Sequence, residues 1–110
     1  MTLFIERSGA TIALPHSVKK VVLGRSSAAT GEYRIDLSIA GAHELGVSRR
    51  HAELVIQPDR VTLSDMDSRN GTFLNARQLR PHEPGIVRDG DEIRLGDLVA
   101  RVYFVQRSSA

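Results

Sequence analysis

The chain has 110 residues, 41% of them apolar and none of them cysteine, so it can bury one domain's core without crosslinks and has no disulfide framework or thiolate chemistry. Fifteen basic residues against 13 acidic ones leave a formal charge of +2, too small a field to hold the chain on nucleic acid or an anionic bilayer. No apolar run reaches membrane-spanning length and the first residues lack the order of a secretory signal, which reads as a soluble, cytoplasmic protein.

Apolar residues alternate over short runs, and Gly, Pro, Asp and Ser punctuate them at close intervals. The pattern predicts strands over 3–7, 11–14, 21–24 and 34–37. Segment 38–46 lacks alternation and holds Gly41 and Gly46, so it is expected as a loop or at most one helical turn beside the site. In the next strand, 51–57, Ala52, Leu54 and Ile56 share a face. Gln57-Pro58-Asp59-Arg60 is expected to be a tight turn into an antiparallel neighbour at 61–65, because proline presets one torsion and aspartate favours the next. Strands follow at 71–74 and 92–95. A last strand, 99–105, puts Ala100, Val102 and Phe104 on one face and Arg101 and Tyr103 on the other, as a half-buried antiparallel strand requires, and is expected to close a sheet. Residues 107–110 read as a frayed tail or the start of a linker after a single domain over 1–106. Short strands, polar turns and no long helix point to an all-β sandwich with loops gathered at its ends.

Three of the turns between strands carry donors: Gly24-Arg25, Ser48-Arg49-Arg50-His51 and Ser68-Arg69-Asn70-Gly71-Thr72. If they converge, they form a pocket for a tetrahedral anion attached to a peptide. A dianionic phosphate gives up strong hydration and must regain a charge-assisted bond of roughly 1.5–3 kcal/mol at each oxygen. Arginine supplies a permanently charged planar fork, the serine hydroxyl and turn N–H groups supply neutral donors, and an asparagine amide can hold a ligand's main chain.

Other readings of the same residues are simpler. Ser48 can cap a turn, and Asn70-Gly71 can be a hairpin tip. Ser48 and His51 invite a nucleophile–base reading, but neither an orienting carboxylate nor an oxyanion hole is indicated. Asp65 and Asp67 resemble the start of a calcium loop, which then fails because Asn70 and Ala76 stand where glycine and glutamate belong. His16, His43, His51 and His82 have no metal-ligand spacing, and Asp89-Gly90-Asp91 reads as a turn entering a strand.

Four blocks in order carry a stronger signal: Gly24-Arg25, Ser48-Arg49-Arg50-His51-Ala52, the run 67–75 through Ser68-Arg69-Asn70-Gly71-Thr72, and 89–96 through Asp89-Gly90. With them the chain resembles a forkhead-associated (FHA) domain along nearly its whole length. The resemblance implies an eleven-stranded antiparallel β-sandwich, FHA/SMAD-like, that acts as a phosphothreonine-dependent binding module in Ser/Thr kinase signalling, with no catalytic step, cofactor or metal. Carried over by position, Arg25 and Ser48 contact phosphate, Arg49 is a further donor, and Arg69 and Asn70 hold the peptide. Gly24, His51, Gly71, Thr72 and Asn75 shape the loops. The long connection between Arg25 and Ser48 and the Asn75-Ala76 pair, where the family often has Asn-Gly, depart from the pattern.

The partner so implied is a phosphothreonine protein or peptide, with no nucleic acid and no membrane, bound by a monomer that can be part of a larger protein. A phosphate-independent scaffold of the same fold, and a polyanion binder using Arg49, Arg50 and Arg69, are the alternatives. Low aromatic content and the lack of a long basic stripe weigh against the second.

Overall fold

The computed structural model describes residues 1–6, 8–15, 17–25, 33–38 and 41–104. Eleven strands follow in chain order: β1 (Thr2–Ile5), β2 (Thr11–Ala13), β3 (Lys20–Gly24), β4 (Arg34–Asp36), β5 (Ala52–Ile56), β6 (Val61–Asp65), β7 (Thr72–Leu74), β8 (Arg77–Gln78), β9 (Gly85–Val87), β10 (Glu92–Leu95) and β11 (Leu98–Tyr103). They form a six-stranded sheet, β2-β1-β11-β10-β7-β8, and a five-stranded sheet, β4-β3-β5-β6-β9. Period-two alternation explains the layers: Leu3, Ile5, Ile93, Leu95, Leu98, Ala100 and Val102 of the first sheet are buried, as are Val21, Leu23, Ala52, Leu54 and Leu63 of the second. Each large apolar side chain buried this way contributes about 1.5–3 kcal/mol, and the core so formed is the rigid body on which the loops are mounted.

The nine predicted strands are all present, although Arg7 and Val105 at two of their ends, and the tail over 107–110, lie outside the described residues. The two that alternation did not supply are β8, two residues long, and β9, which follows Pro81 and Pro84. β8 is too short for a period to register, and β9 lies in a segment whose two prolines and glycine interrupt the apolar pattern. The β5–β6 turn is as expected, with the Gln57 N–H on the Arg60 carbonyl at 2.8 Å. Segment 41–46 is a succession of turns with one i to i+4 bond, Leu45 N–H to Gly41 carbonyl at 3.1 Å.

Two placements differ from expectation. Strand β11 does not close a sheet but runs inside one, paired antiparallel with β1 and with β10. One pair, β3–β4, is parallel, with Val22 beside Arg34 and Gly24 beside Asp36, whereas the remaining pairs of strands are antiparallel. A hairpin would have reversed the chain; the connection through 25–33 instead returns it to the start of β3. As a result Arg25 and Leu37 leave their strands at the same end, and the Leu37 N–H reaches the Gly24 carbonyl at 2.7 Å.

The hairpin β7–β8 turns on Asn75 and Ala76, whose φ angles are 50° and 69°. Two positive φ values in a two-residue loop are the type I′ geometry that Asn-Gly satisfies without strain. Asn75 tolerates it and docks the turn on β10, accepting the Glu92 N–H on Oδ1 at 2.9 Å and giving its own N–H to the Glu92 carbonyl at 2.8 Å. Ala76 has only the steric cost. Ala76→Gly is therefore expected to stabilise the domain by about 0.5–1 kcal/mol, the left-handed penalty less the added chain entropy, as read by chemical denaturation.

Candidate functional site

Four connections meet at one end of the sandwich: the exit of β3, the segment between β4 and β5, the segment between β6 and β7, and the two-residue β10–β11 turn. The closest approach is between the first two. A Cβ on Gly24 would lie 1.8 Å from the Arg49 carbonyl oxygen, so only glycine admits the second loop there. That contact sets the Arg25 N–H on the Ser48 carbonyl at 3.2 Å and the His51 N–H on the Leu23 carbonyl at 2.9 Å. The Ser38 hydroxyl lies 2.9 Å from the Arg25 carbonyl and fixes its other side.

His51 joins the second loop to the third. Its side chain is fully buried; Nδ1 accepts the Ser48 N–H at 3.0 Å, and Nε2 lies 2.8 Å from the Gly71 carbonyl. An acceptor at Nδ1 and a donor at Nε2 define one neutral tautomer. Burial pushes the imidazole below its ordinary value, with the Gly71 carbonyl and the Asp65 charge opposing. Both ring nitrogens are thus engaged with backbone, and the Ser48 hydroxyl has no base: its Oγ accepts the Arg69 N–H at 3.1 Å. Among the described residues, no cluster of three or more His, Asp or Glu side chains could hold a metal ion.

The third loop is shaped by Asp65, a carboxylate that the sequence offered only as the start of a failed calcium loop. Asp65 ends β6 on the same face as Val61 and Leu63 and is 3% exposed. It accepts the Ser68 hydroxyl, the Thr72 hydroxyl at 2.7 Å and the Ser68 N–H at 3.3 Å. The Ser68 Oγ in turn accepts the Gly71 N–H at 3.0 Å. These bonds satisfy a buried charge and leave Arg69 and Asn70 at the apex. Asn70-Gly71 is not a hairpin tip, since β6 and β7 belong to different sheets and the pair sits in the crossover between them.

The pocket at this end is a cavity of about 150 Å³ lined by Arg25, His43, Gly46, Val47, Ser48, Arg69 and Asn70. Four residues from the sequence motifs, Arg25, Ser48, Arg69 and Asn70, therefore face one space. Arg49 does not line it; its side chain is exposed, and its N–H makes no bond among the described residues. Asn70 Nδ2 donates to the Gly46 carbonyl at 2.9 Å, which leaves Oδ1 as an acceptor. Among the described residues no carboxylate pairs with the guanidinium of Arg25 or Arg69. Gly46 and Val47, part of the wall, carried no motif signal, although Gly46 at φ 79° packs directly under the Asn70 amide.

The fold and the site define a β-sandwich whose end loops form a small cationic recess. A family model of the FHA domain matches residues 21–96. The chain is 33% identical over 100 residues to Protein FraH of Nostoc sp., a match covering 88% of this chain and 34% of that protein. It is 30% identical over 93 residues to the glycogen accumulation regulator GarA of Mycobacterium tuberculosis, covering 76% of this chain and 56% of GarA. The matched region is thus about a third of one curated relative and a little over half of the other. Among solved structures, an FHA domain from a structural and functional analysis of phosphothreonine-dependent FHA domain interactions superposes with a TM-score of 0.72 at 31% identity, covering 96% of this chain and 97% of that one. The FHA domain of FhaA, solved in complex with the intracellular domain of Rv3910, gives 0.67 at 31% identity over 91% and 96%. The chain belongs to the FHA domain family, a class of binding modules.

Two expectations follow from the loop geometry. Because the native state holds His51 neutral while the unfolded chain takes up a proton near its ordinary pKa of about 6.5, stability is full above that value and falls as pH drops below it, levelling off below the native pKa. An NMR titration of the ring should give a midpoint below 6.5 in the folded domain; a midpoint at or above it contradicts the neutral bridge. Gly24→Ala should cost about 1–3 kcal/mol in denaturation and shift the backbone amides of Ser48 to His51, as the Arg49 carbonyl is forced away.

Proposed function

We propose that the recess binds a phosphothreonine segment of a protein phosphorylated by a Ser/Thr kinase in the cytoplasm, as a module over residues 1–106 with no catalytic step. The observation that carries the reading is the convergence of Arg25 and Arg69, both without a carboxylate partner among the described residues, on one recess with Ser48 and Asn70.

In this reading the Arg25 fork takes two phosphate oxygens. The Ser48 Oγ already receives the Arg69 N–H and so directs its own proton outward to a third oxygen. The Arg49 N–H, outside the lining of the recess but unbonded among the described residues, is a further neutral donor beside it, and the Arg69 guanidinium is a charged rim. The Asn70 amide, held by Gly46, offers Oδ1 to a peptide N–H beside the phosphoresidue. His51, Gly24, Gly71 and Thr72 support the loops without contacting ligand, whereas Asn75 docks the β7–β8 turn on Glu92, at the end of β10 away from the recess. FraH and GarA extend well beyond the matched region, and what those proteins do as wholes is not carried over.

A contact this small, with a peptide to be ordered, is expected to have micromolar affinity, about 8 kcal/mol. Calorimetry with one peptide in phosphothreonine, phosphoserine and unphosphorylated forms is the test. Binding should require the phosphate, Arg25→Ala should lower affinity by about a hundredfold or more, and Arg25→Lys should restore little of it because a point charge lacks the fork. Equal binding of the phosphorylated and unphosphorylated peptides overturns the proposal. Affinity for DNA that falls steeply with salt, with no preference for phosphopeptide, would instead identify a polyanion binder.

A further inference from the structure

The side of the sandwich next to the recess is open. Strand β8 ends one sheet and β9 the other, and each has a neighbour on one side only. Between them runs a groove of about 880 Å³ with Leu74, Leu79 and Ile86 along it and Arg77, Arg80 and Arg88 on its walls. Gly85 makes this shape possible: a Cβ there would lie 3.0 Å from Leu79 Cδ2 and 3.2 Å from Leu74 Cδ2, so both leucines lean on the bare backbone of β9. Ile86, 48% exposed, also borders a second cavity of about 750 Å³ whose wall includes Met1, Ile56 and Phe104.

The charges of the groove are unevenly matched. The Arg77 and Arg88 side chains make no hydrogen bond or ion pair among the described residues, and Arg80 has only an exposed contact with Glu83 at 3.8 Å. The other carboxylate, Asp91, has one oxygen taken by the Arg88 backbone N–H at 2.8 Å. The near end of the groove abuts the loop that carries Arg69 and Asn70. Pro81 forms a bridge with Asp65, the His82 N–H reaches the Asp65 carbonyl at 2.9 Å, and His82 Nε2 lies 2.8 Å from Asp67 Oδ2.

We propose that this open side is a second docking groove, which takes an acidic, extended segment of the same phosphorylated partner. An unpaired strand edge offers main-chain bonds to an added strand, whose alternate side chains would meet the arginines on one side and Ile86 and the leucines on the other. A single-stranded nucleic acid suits it less, because no aromatic residue lines the groove for base stacking. The proposal rests on the phosphothreonine reading only for joining the two segments in one partner; the groove's own preference for acidic peptide stands apart from it. Pro84, the shortness of β9 and the arginines could alternatively serve only to keep the edge from self-association, and the experiment separates these.

Calorimetry at two salt concentrations would compare a short phosphothreonine peptide with the same peptide extended at either end by alternating Glu and Val. One extension is expected to raise affinity by about tenfold at low salt through effective concentration, and the double variant R77E/R88E to remove that gain while binding the short peptide as wild type does. Equal gain in wild type and R77E/R88E, or gain from neither extension, overturns the proposal. The unphosphorylated Glu-Val segment alone should shift the backbone NMR signals of 77–88 in both wild type and Arg25→Ala. If it does so while the short phosphopeptide fails to bind, the groove stands and the recess reading falls. Equal displacement of that segment by oligouridylate and by an acidic peptide of the same charge would show a charge-reading edge and sink the peptide assignment.

Discussion

The Gly71 carbonyl is the point on which the recognition end depends. It receives the His51 imidazole at 2.8 Å and the Gly96 N–H at 3.0 Å, and so draws three separate connections to one oxygen. From there a series of bonds runs outward: His51 Nδ1 holds the Ser48 N–H, Ser48 Oγ holds the Arg69 N–H, and the Asn70 amide holds the Gly46 carbonyl. The Asp97 N–H, from the β10–β11 turn, returns to the Leu45 carbonyl at 2.8 Å. None of these loops has a ladder of its own. One buried ring, which must stay neutral to act as acceptor and donor at once, links two of them.

The same loop bonds bear on why Arg25 and Arg69 have no carboxylate partner among the described residues. Guanidinium groups next to a carboxylate would be satisfied in the free protein, and an incoming anion would have to displace the partner. Asp65, the one buried carboxylate among the described residues, is turned inward and occupied by Ser68 and Thr72, so its charge organises the loop without neutralising the rim.

Much of this was legible in the sequence, for physical reasons that vary by residue. Alternation marked nine strands because their apolar residues recur at every second position in the sequence, and the three donor-bearing turns stood out because Arg, Ser and Asn were set between apolar runs. What escaped were features whose cause is tertiary. Asp65 sits at an inward position, two residues after Leu63 and four after Val61, so the same alternation that found the strand places a carboxylate on the apolar face. That conflict was a usable signal, since a charge there needs partners. Strands β8 and β9 offer only two and three residues and are strands because β7 and β6 recruit them. The parallel β3–β4 pair has no sequence mark at all, because direction is set by where the connection brings the chain back. The pocket wall at Gly46 and Val47 comes from close approach between loops, which no single segment encodes.

Besides the pair in the β7–β8 turn, the other two left-handed non-glycine residues among those described lie next to the recess loops. Asp67 and His82 are non-glycine residues with φ of 57° and 63°, and their side chains meet at 2.8 Å across the two loops. Each left-handed residue costs about 1–2 kcal/mol, and an exposed contact between them returns less than that sum. Local preference therefore opposes the observed shape of the β6–β7 loop, and the Asp65 bonds together with the His51 bridge must over-determine it. The core between the sheets contributes nothing directly to that balance. The loop bonds therefore carry a share of the domain's stability, as the His51 bridge and the Gly24 contact do, and the shape that presents Arg69 and Asn70 depends on the same bonds.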